Sequence, residues 1–163
     1  VVTARAVAET VRDPELPMLT LADLGVLREV SEQDGAVKVS ITPTYSGCPA
    51  MDTMRDDLVH ALQGAGFSRV EVSTVLQPSW SSDWISEQGR RKLAEAGIAP
   101  PGGVAARGPG PVPLSLHPPE RKVPCPRCGE PDTELLSEFG ATACKAMRRC
   151  RSCDEPFEHV KEI

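Results

Sequence analysis

The stretch GVLREVSEQDGAVKVSITP, residues 25–43, decides the first half of the fold. Apolar residues run from Val26 to Val30, Asp34-Gly35 is a tight-turn signal, and Val37, Val39 and Ile41 alternate as in a half-buried strand. A β-hairpin is predicted. Upstream, a short helix is predicted over Ala4–Val11, ended by RDPELP, whose two prolines disfavour helical backbone in the residues before them.

Downstream of the hairpin comes a loop with a solitary cysteine, TYSGCPAM (44–51), and then a run in which Met51, Met54, Leu58, Ala61 and Leu62 recur every three or four residues. That period puts them on one face of an amphipathic helix from Pro49 to Ala65, stopped by Gly64 and Gly66. SRVEVSTVL then supplies a third strand with Val70 and Val72 on one face. SSDWISEQGRRKLAEAGI supplies another helix, with Ser82 or Asp83 as its N-cap. Together these predict an α+β layer over residues 1–99, with about three antiparallel or mixed strands and helices on one face.

Between residues 100 and 124, eight of 25 positions are proline and four are glycine, without the apolar period of a core, so this segment is read as a linker. Beyond it, residues 125–163 carry Cys125-x2-Cys128, 21 intervening residues, and Cys150-x2-Cys153. Such spacing makes two knuckles whose thiolates converge on one tetrahedral cation, the pattern of a zinc ribbon. Gly129 permits the tight turn after the first pair, and TELL, KAMRRC and FEHVKEI are its predicted strands. Four thiolates fill the coordination shell, which makes the site structural, with zinc the leading ion and iron the alternative. Cys144, between the knuckles, is either a small buried hydrophobe or a second reactive thiol. His60 and His159, lacking spaced partners, read as surface or interface residues, and His117 falls in the linker.

Charge narrows the functions. The net charge is −5, and residues 121–163 balance eight basic against eight acidic residues with two phenylalanines, so the basic, stacking surface that a nucleic-acid reader requires is thin and that function is disfavoured. The longest uncharged run, Val39–Met51, contains proline and glycine and is too short to span a bilayer. The opening VVTARAVAET has no secretory pattern, so a cytoplasmic location is expected, and paired cysteines in a reducing compartment read as metal ligands.

Cys48 precedes Pro49, a residue suited to the first turn of a helix. A thiol at a helix N-terminus is expected to have a lowered pKa, whereas the plainer account is that it packs. No neighbouring His or second Cys in the sequence completes a nucleophile–base pair, so hydrolytic catalysis is unsupported. Asp13, Glu15 and Asp23 could lie beside this loop and help hold iron, or could simply cap turns.

DPELPMLTLADLG (13–25), the hairpin and TPTYSGCPAM (42–51) resemble the MIP18-like (DUF59) domain of iron–sulfur assembly factors, with its Thr-x-x-x-Cys-Pro loop at Thr44–Pro49. Including VLQPSWSSDWISEQGRRKLAEAGIAPP (75–101) and the cysteine-rich tail, nearly the whole chain resembles the family of D components of ring-epoxidising phenylacetyl-CoA epoxidase systems, which serve bacterial phenylacetate degradation. The resemblance implies a small MIP18-like domain followed by a four-cysteine zinc ribbon. It implies an accessory maturation factor, not itself the catalyst, that assists iron or iron–sulfur assembly in the oxygenase or reductase subunits. The alternative is a structural or electron-transfer subunit of that complex. By residue, the resemblance makes Cys48 the matching cysteine, Asp13 and Glu15 its acidic loop, and Cys125, Cys128, Cys150 and Cys153 the metal ligands. Transient iron or a cluster, the epoxidase subunits as partners, and a homodimer complete the expectations.

Overall fold

The computed structural model describes residues 1–103, 111, 116 and 121–163. The rest of the proline-rich segment, with His117, lies outside the described residues.

The hairpin forms as its alternation predicts. Strand β1 (Leu27–Gln33) pairs antiparallel with β2 (Ala36–Ile41), and Asp34 and Gly35 both take positive φ at the turn. In β2, Val37, Val39 and Ile41 are buried while Lys38 between them is exposed. Strand β3 (Arg69–Thr74) lies parallel to β2, so the sheet is mixed with order β1-β2-β3. A parallel pair needs a crossover, here helix α2 (Met51–Gly64). Its Met54, Leu58 and Leu62 are buried at four-residue intervals, packed with α1 (Ala4–Ala8) onto the sheet. Helix α1 is shorter than its predicted span because the chain turns at Glu9–Thr10 and enters the 12–20 loop, closed by an Arg12–Thr20 bridge.

The predicted cap of the next helix is displaced. Ser81 caps a single 3-10 turn (Ser82–Trp84), Ile85 is extended, and Ser86 caps helix α3 (Glu87–Glu95) by accepting the N–H of Gly89 at 2.9 Å. Several cap-forming residues stand in a row, and the extended Ile85 splits them into two consecutive starts. Gly25 makes room for this turn: its φ is +72°, and a Cβ there would lie 2.6 Å from Trp84 Cβ.

The cysteine-rich tail folds as the three predicted strands, β4 (Thr133–Ser137), β5 (Lys145–Cys150) and β6 (Pro156–Val160), antiparallel in the order β4-β5-β6. Leu136 is an extra residue in β4, a bulge against β5. The ribbon is joined to the preceding fold. Ala99 forms a parallel bridge to His159, Ser82 N–H donates to the Ile163 carbonyl, and Val160 is buried in the core of the first sheet. His159 is therefore an interface residue, 5% exposed, whereas His60 is on the exposed face of α2.

Candidate metal centre and thiol cavity

The two knuckles are near copies. In the first, Cys125 N–H donates to the Glu130 carbonyl and Gly129 N–H to the Cys125 carbonyl, each at 2.9 Å; in the second, Cys150 N–H donates to the Glu155 carbonyl at 2.9 Å. Each turn needs left-handed backbone after its second cysteine, supplied by Gly129 (φ 77°) and by Asp154 (φ 58°). The four sulfurs consequently all lie within 4.8 Å of one another. Cys125 Sγ is 3.8 Å from Cys153 Sγ, and Cys128 Sγ is 3.6 Å from Cys150 Sγ. A tetrahedral ion with Zn–S bonds of about 2.3 Å requires sulfur separations of about 3.8 Å, so the residues fit zinc. Cys125 and Cys150 face the ribbon core with Val123 and Phe157, while Cys128 and Cys153 are exposed at its tip. Bound zinc would close the knuckles and leave no open coordination position, which is a folding role.

The second assembly lies at the carboxyl end of β2, where parallel βαβ units commonly place ligand-binding loops. A cavity of about 20 Å³, room for one water-sized group, is lined by Asp13, Glu15, Thr44, Cys48, Trp80 and Cys144, with apolar residues including Val160. The loop of Asp13 is fixed by its own side chain, whose Oδ1 accepts the N–H of Glu15 at 2.8 Å and of Leu16 at 2.7 Å. Asp13 thus caps a turn and also reaches the cavity. Asp23 caps Thr20 and pairs with Lys92 at 2.7 Å, and it does not line the cavity. Trp80, whose Nε1–H donates to the Leu24 carbonyl at 2.9 Å, forms another wall.

Cys48 differs from its expected electrostatics. Helix α2 begins at Met51, Pro49 lies in the preceding turn, and the N-cap is Ala50. Burial pushes the Cys48 thiol up, the Ala50 N–H opposes this, and the nearby charge of Glu15 adds to the rise. The predicted lowering is overturned because desolvation outweighs the few dipoles that reach the sulfur. Burial likewise raises Cys144, partly opposed by Thr142, whose Oγ1 is 3.1 Å from its sulfur. Burial raises Asp13 and Glu15 as well. Lys145, 5% exposed and 2.9 Å from Glu158, is the neighbouring cation whose charge favours ionised Asp13 and Glu15.

The structure therefore brings Cys48, Asp13 and Glu15 together and adds Cys144 to them. Trp80 and Lys145 escape sequence reasoning, since no spacing ties either to the cysteine loop; adjacency of Lys145 to Cys144 was the only hint. Among the described residues, the four ribbon cysteines are the one group of three or more potential ligands already converged for an ion.

Two stretches of the chain match described families. Residues 3–74 match a family described as "Iron-sulfur cluster assembly protein", and residues 109–161 match "PaaD zinc beta ribbon domain". The putative D component of the 1,2-phenylacetyl-CoA epoxidase of Escherichia coli (strain K12) is 43% identical over 158 residues, spanning 97% of this chain and 90% of that protein. The "Fe-S protein maturation auxiliary factor" of Porphyromonas gingivalis (strain ATCC BAA-308 / W83) is 34% identical over 86 residues, 52% of this chain and 81% of that one. Among solved structures, a DUF59 domain from Bacillus anthracis superposes with a TM-score of 0.51 at 27% identity, covering 55% of this chain and 87% of that domain.

Proposed function

Because this chain belongs to the family represented by the D component of the Escherichia coli epoxidase, we propose that it is an accessory maturation factor for iron or iron–sulfur centres in a phenylacetyl-CoA epoxidase system. The single observation that carries this reading is the placement of Cys48 on an iron–sulfur assembly fold, in a small cavity with Asp13 and Glu15. Thiol and carboxylate donors suit transient iron, and a cavity of about 20 Å³ cannot enclose a coenzyme A thioester. The resemblance of half the chain to a protein named as a maturation auxiliary factor supports the same role.

In this role Cys48 is the iron-handling thiol, Asp13 and Glu15 are its acidic neighbours, and the zinc-loaded ribbon serves as a folded docking module. The clients are the oxygenase and reductase subunits, met in the cytoplasm. We retain the division into residues 1–99, 100–124 and 125–163 as part of this proposal, along with a homodimer as its assembly. Co-expression of the epoxidase subunits with the Cys48→Ser protein, followed by measurement of their iron and labile sulfide, tests the role. Loss of iron from at least one client with unchanged protein yield is expected; full loading and full activity would overturn it. A purified protein that is colourless and contains zinc fits the structural ribbon, whereas visible absorption from four-thiolate iron would favour an electron-transfer role.

A further inference from the structure

Cys144 belongs to the ribbon in sequence yet stands apart from its metal centre. Strand β5 runs from Lys145 to Cys150, so Cys144 lies at the opposite end of that strand from the four-thiol cluster, roughly 20 Å away along the backbone. There it is 8% exposed and lines the same cavity as Cys48, which is also 8% exposed. Four separate segments meet at this point. The 12–16 loop contributes Asp13 and Glu15, the loop after β2 contributes Thr44 and Cys48, the Trp80 segment forms a wall, and the ribbon contributes Cys144 and Val160. A buried free cysteine alone would be packing. Two thiols and two carboxylates from distant parts of the chain line a hole the size of one water molecule, with donor atoms less closely drawn together than the ribbon thiols.

Building on the maturation reading, we propose that Cys48 and Cys144 jointly bind one thiophilic divalent cation, with Glu15 as an oxygen donor, so that the ribbon completes the iron-handling site. Two sulfur donors select a borderline-soft first-row ion, of which ferrous iron is the one the role requires. The cavity holds a single ion rather than a preassembled cluster. Loading is an exchange without redox change: two S–H bonds break, two metal–sulfur bonds form, and two protons leave to solvent. The Lys145 ammonium, paired with Glu158, favours the ionised forms of Asp13 and Glu15 without competing for the metal, since an ammonium has no lone pair to donate.

Cobalt(II) is a suitable probe, because it does not displace zinc from the ribbon under the usual order of affinities. Titrating reduced, zinc-loaded full chain with Co²⁺ without oxygen should show one further bound equivalent with thiolate-to-cobalt absorption in the near ultraviolet. Cys48→Ser and Cys144→Ser should each weaken binding about tenfold or more and remove about half of that absorption. In the unsubstituted chain, Co²⁺ should protect both cysteines from iodoacetamide in parallel, read by peptide mass, a measurement that needs no variant to fold. Unchanged binding by Cys144→Ser, protection of Cys48 alone, or no further equivalent would overturn the shared site. If Cys144→Ser also loads the epoxidase normally while Cys48→Ser does not, the maturation reading stands and only the shared site fails.

Discussion

The Glu162 carboxylate is a fastening point between the ribbon and the segment after α3. Its Oε1 accepts the Gly102 N–H at 2.8 Å and lies 3.4 Å from His159 Nε2, an ion-pair separation, while Oε2 is 3.2 Å from Arg121. Burial raises its pKa, but His159 and the Gly102 N–H outweigh that and hold it at about 2, below the ordinary 4.5. A folded-state pKa below the unfolded one means that the unfolded chain binds more protons, so this contribution is present above pH 4.5 and is lost as pH falls towards 2. Glu162→Gln should therefore be less stable than the unsubstituted protein at pH 6, with the difference shrinking steadily between pH 4.5 and 2, as read by denaturant unfolding across that range. A gap that stays constant to pH 2 would assign the loss to shape instead of charge.

Among the elements, the 3-10 turn at Ser82–Trp84 is where local pattern and long-range packing disagree. Gly25 must be glycine on two counts, its left-handed backbone and the close approach of Trp84, whose carbonyl oxygen would lie 2.8 Å from an added Cβ. Gly25→Ala should cost about 2–4 kcal/mol, combining the left-handed penalty with overpacking, and should shift the chemical unfolding midpoint accordingly. Arg28, the bulged residue of β1, stacks 3.9 Å over the Trp84 ring on the same corner, so the loss should also alter tryptophan fluorescence. None of this was legible beforehand. The hairpin, α2 and the ribbon strands were, because each is specified by a local period and its own turn residues: Val37, Val39 and Ile41, or Met54, Leu58 and Leu62. The displaced cap at Ser86 and the raised thiol at Cys48 depend on parts of the chain far away in sequence, Asp23 for the former and, for the latter, burial under distant segments first and the charges of Glu15 and Cys144 after it, and no window of sequence contains them together.

For the whole molecule, the ribbon's metal and the cavity at Cys48 are mechanically linked. Zinc supplies much of the folding free energy of a unit this small, and that unit provides Val160 and Cys144 as the cover of the cavity. Stripping zinc with a strong chelator should raise the alkylation rate of Cys48 towards that of an unprotected thiol, and Cys150→Ser should do the same without chelator. An unchanged rate would show that the N-terminal part buries Cys48 unaided. The four-cysteine site was readable from spacing alone; the packing of its ribbon beside a thiol about one hundred residues earlier was not, since that rests on the Ala99–His159 bridge and on Val160 reaching the other core.

The bulge at Leu136 bears on solubility. Strand β4 is an outer strand of the ribbon sheet, with Leu135 and Leu136 exposed on it and Phe139 exposed just beyond it, and a straight apolar edge of that kind is a template on which further chains can stack. The extra residue breaks the ladder spacing, and Lys161 sits 4.6 Å above the Phe139 ring, placing a hydrated charge beside it. The edge is thereby kept open to side-chain contacts yet poor at recruiting a fourth strand, which guards a metal-dependent fold against aggregation while it is being loaded.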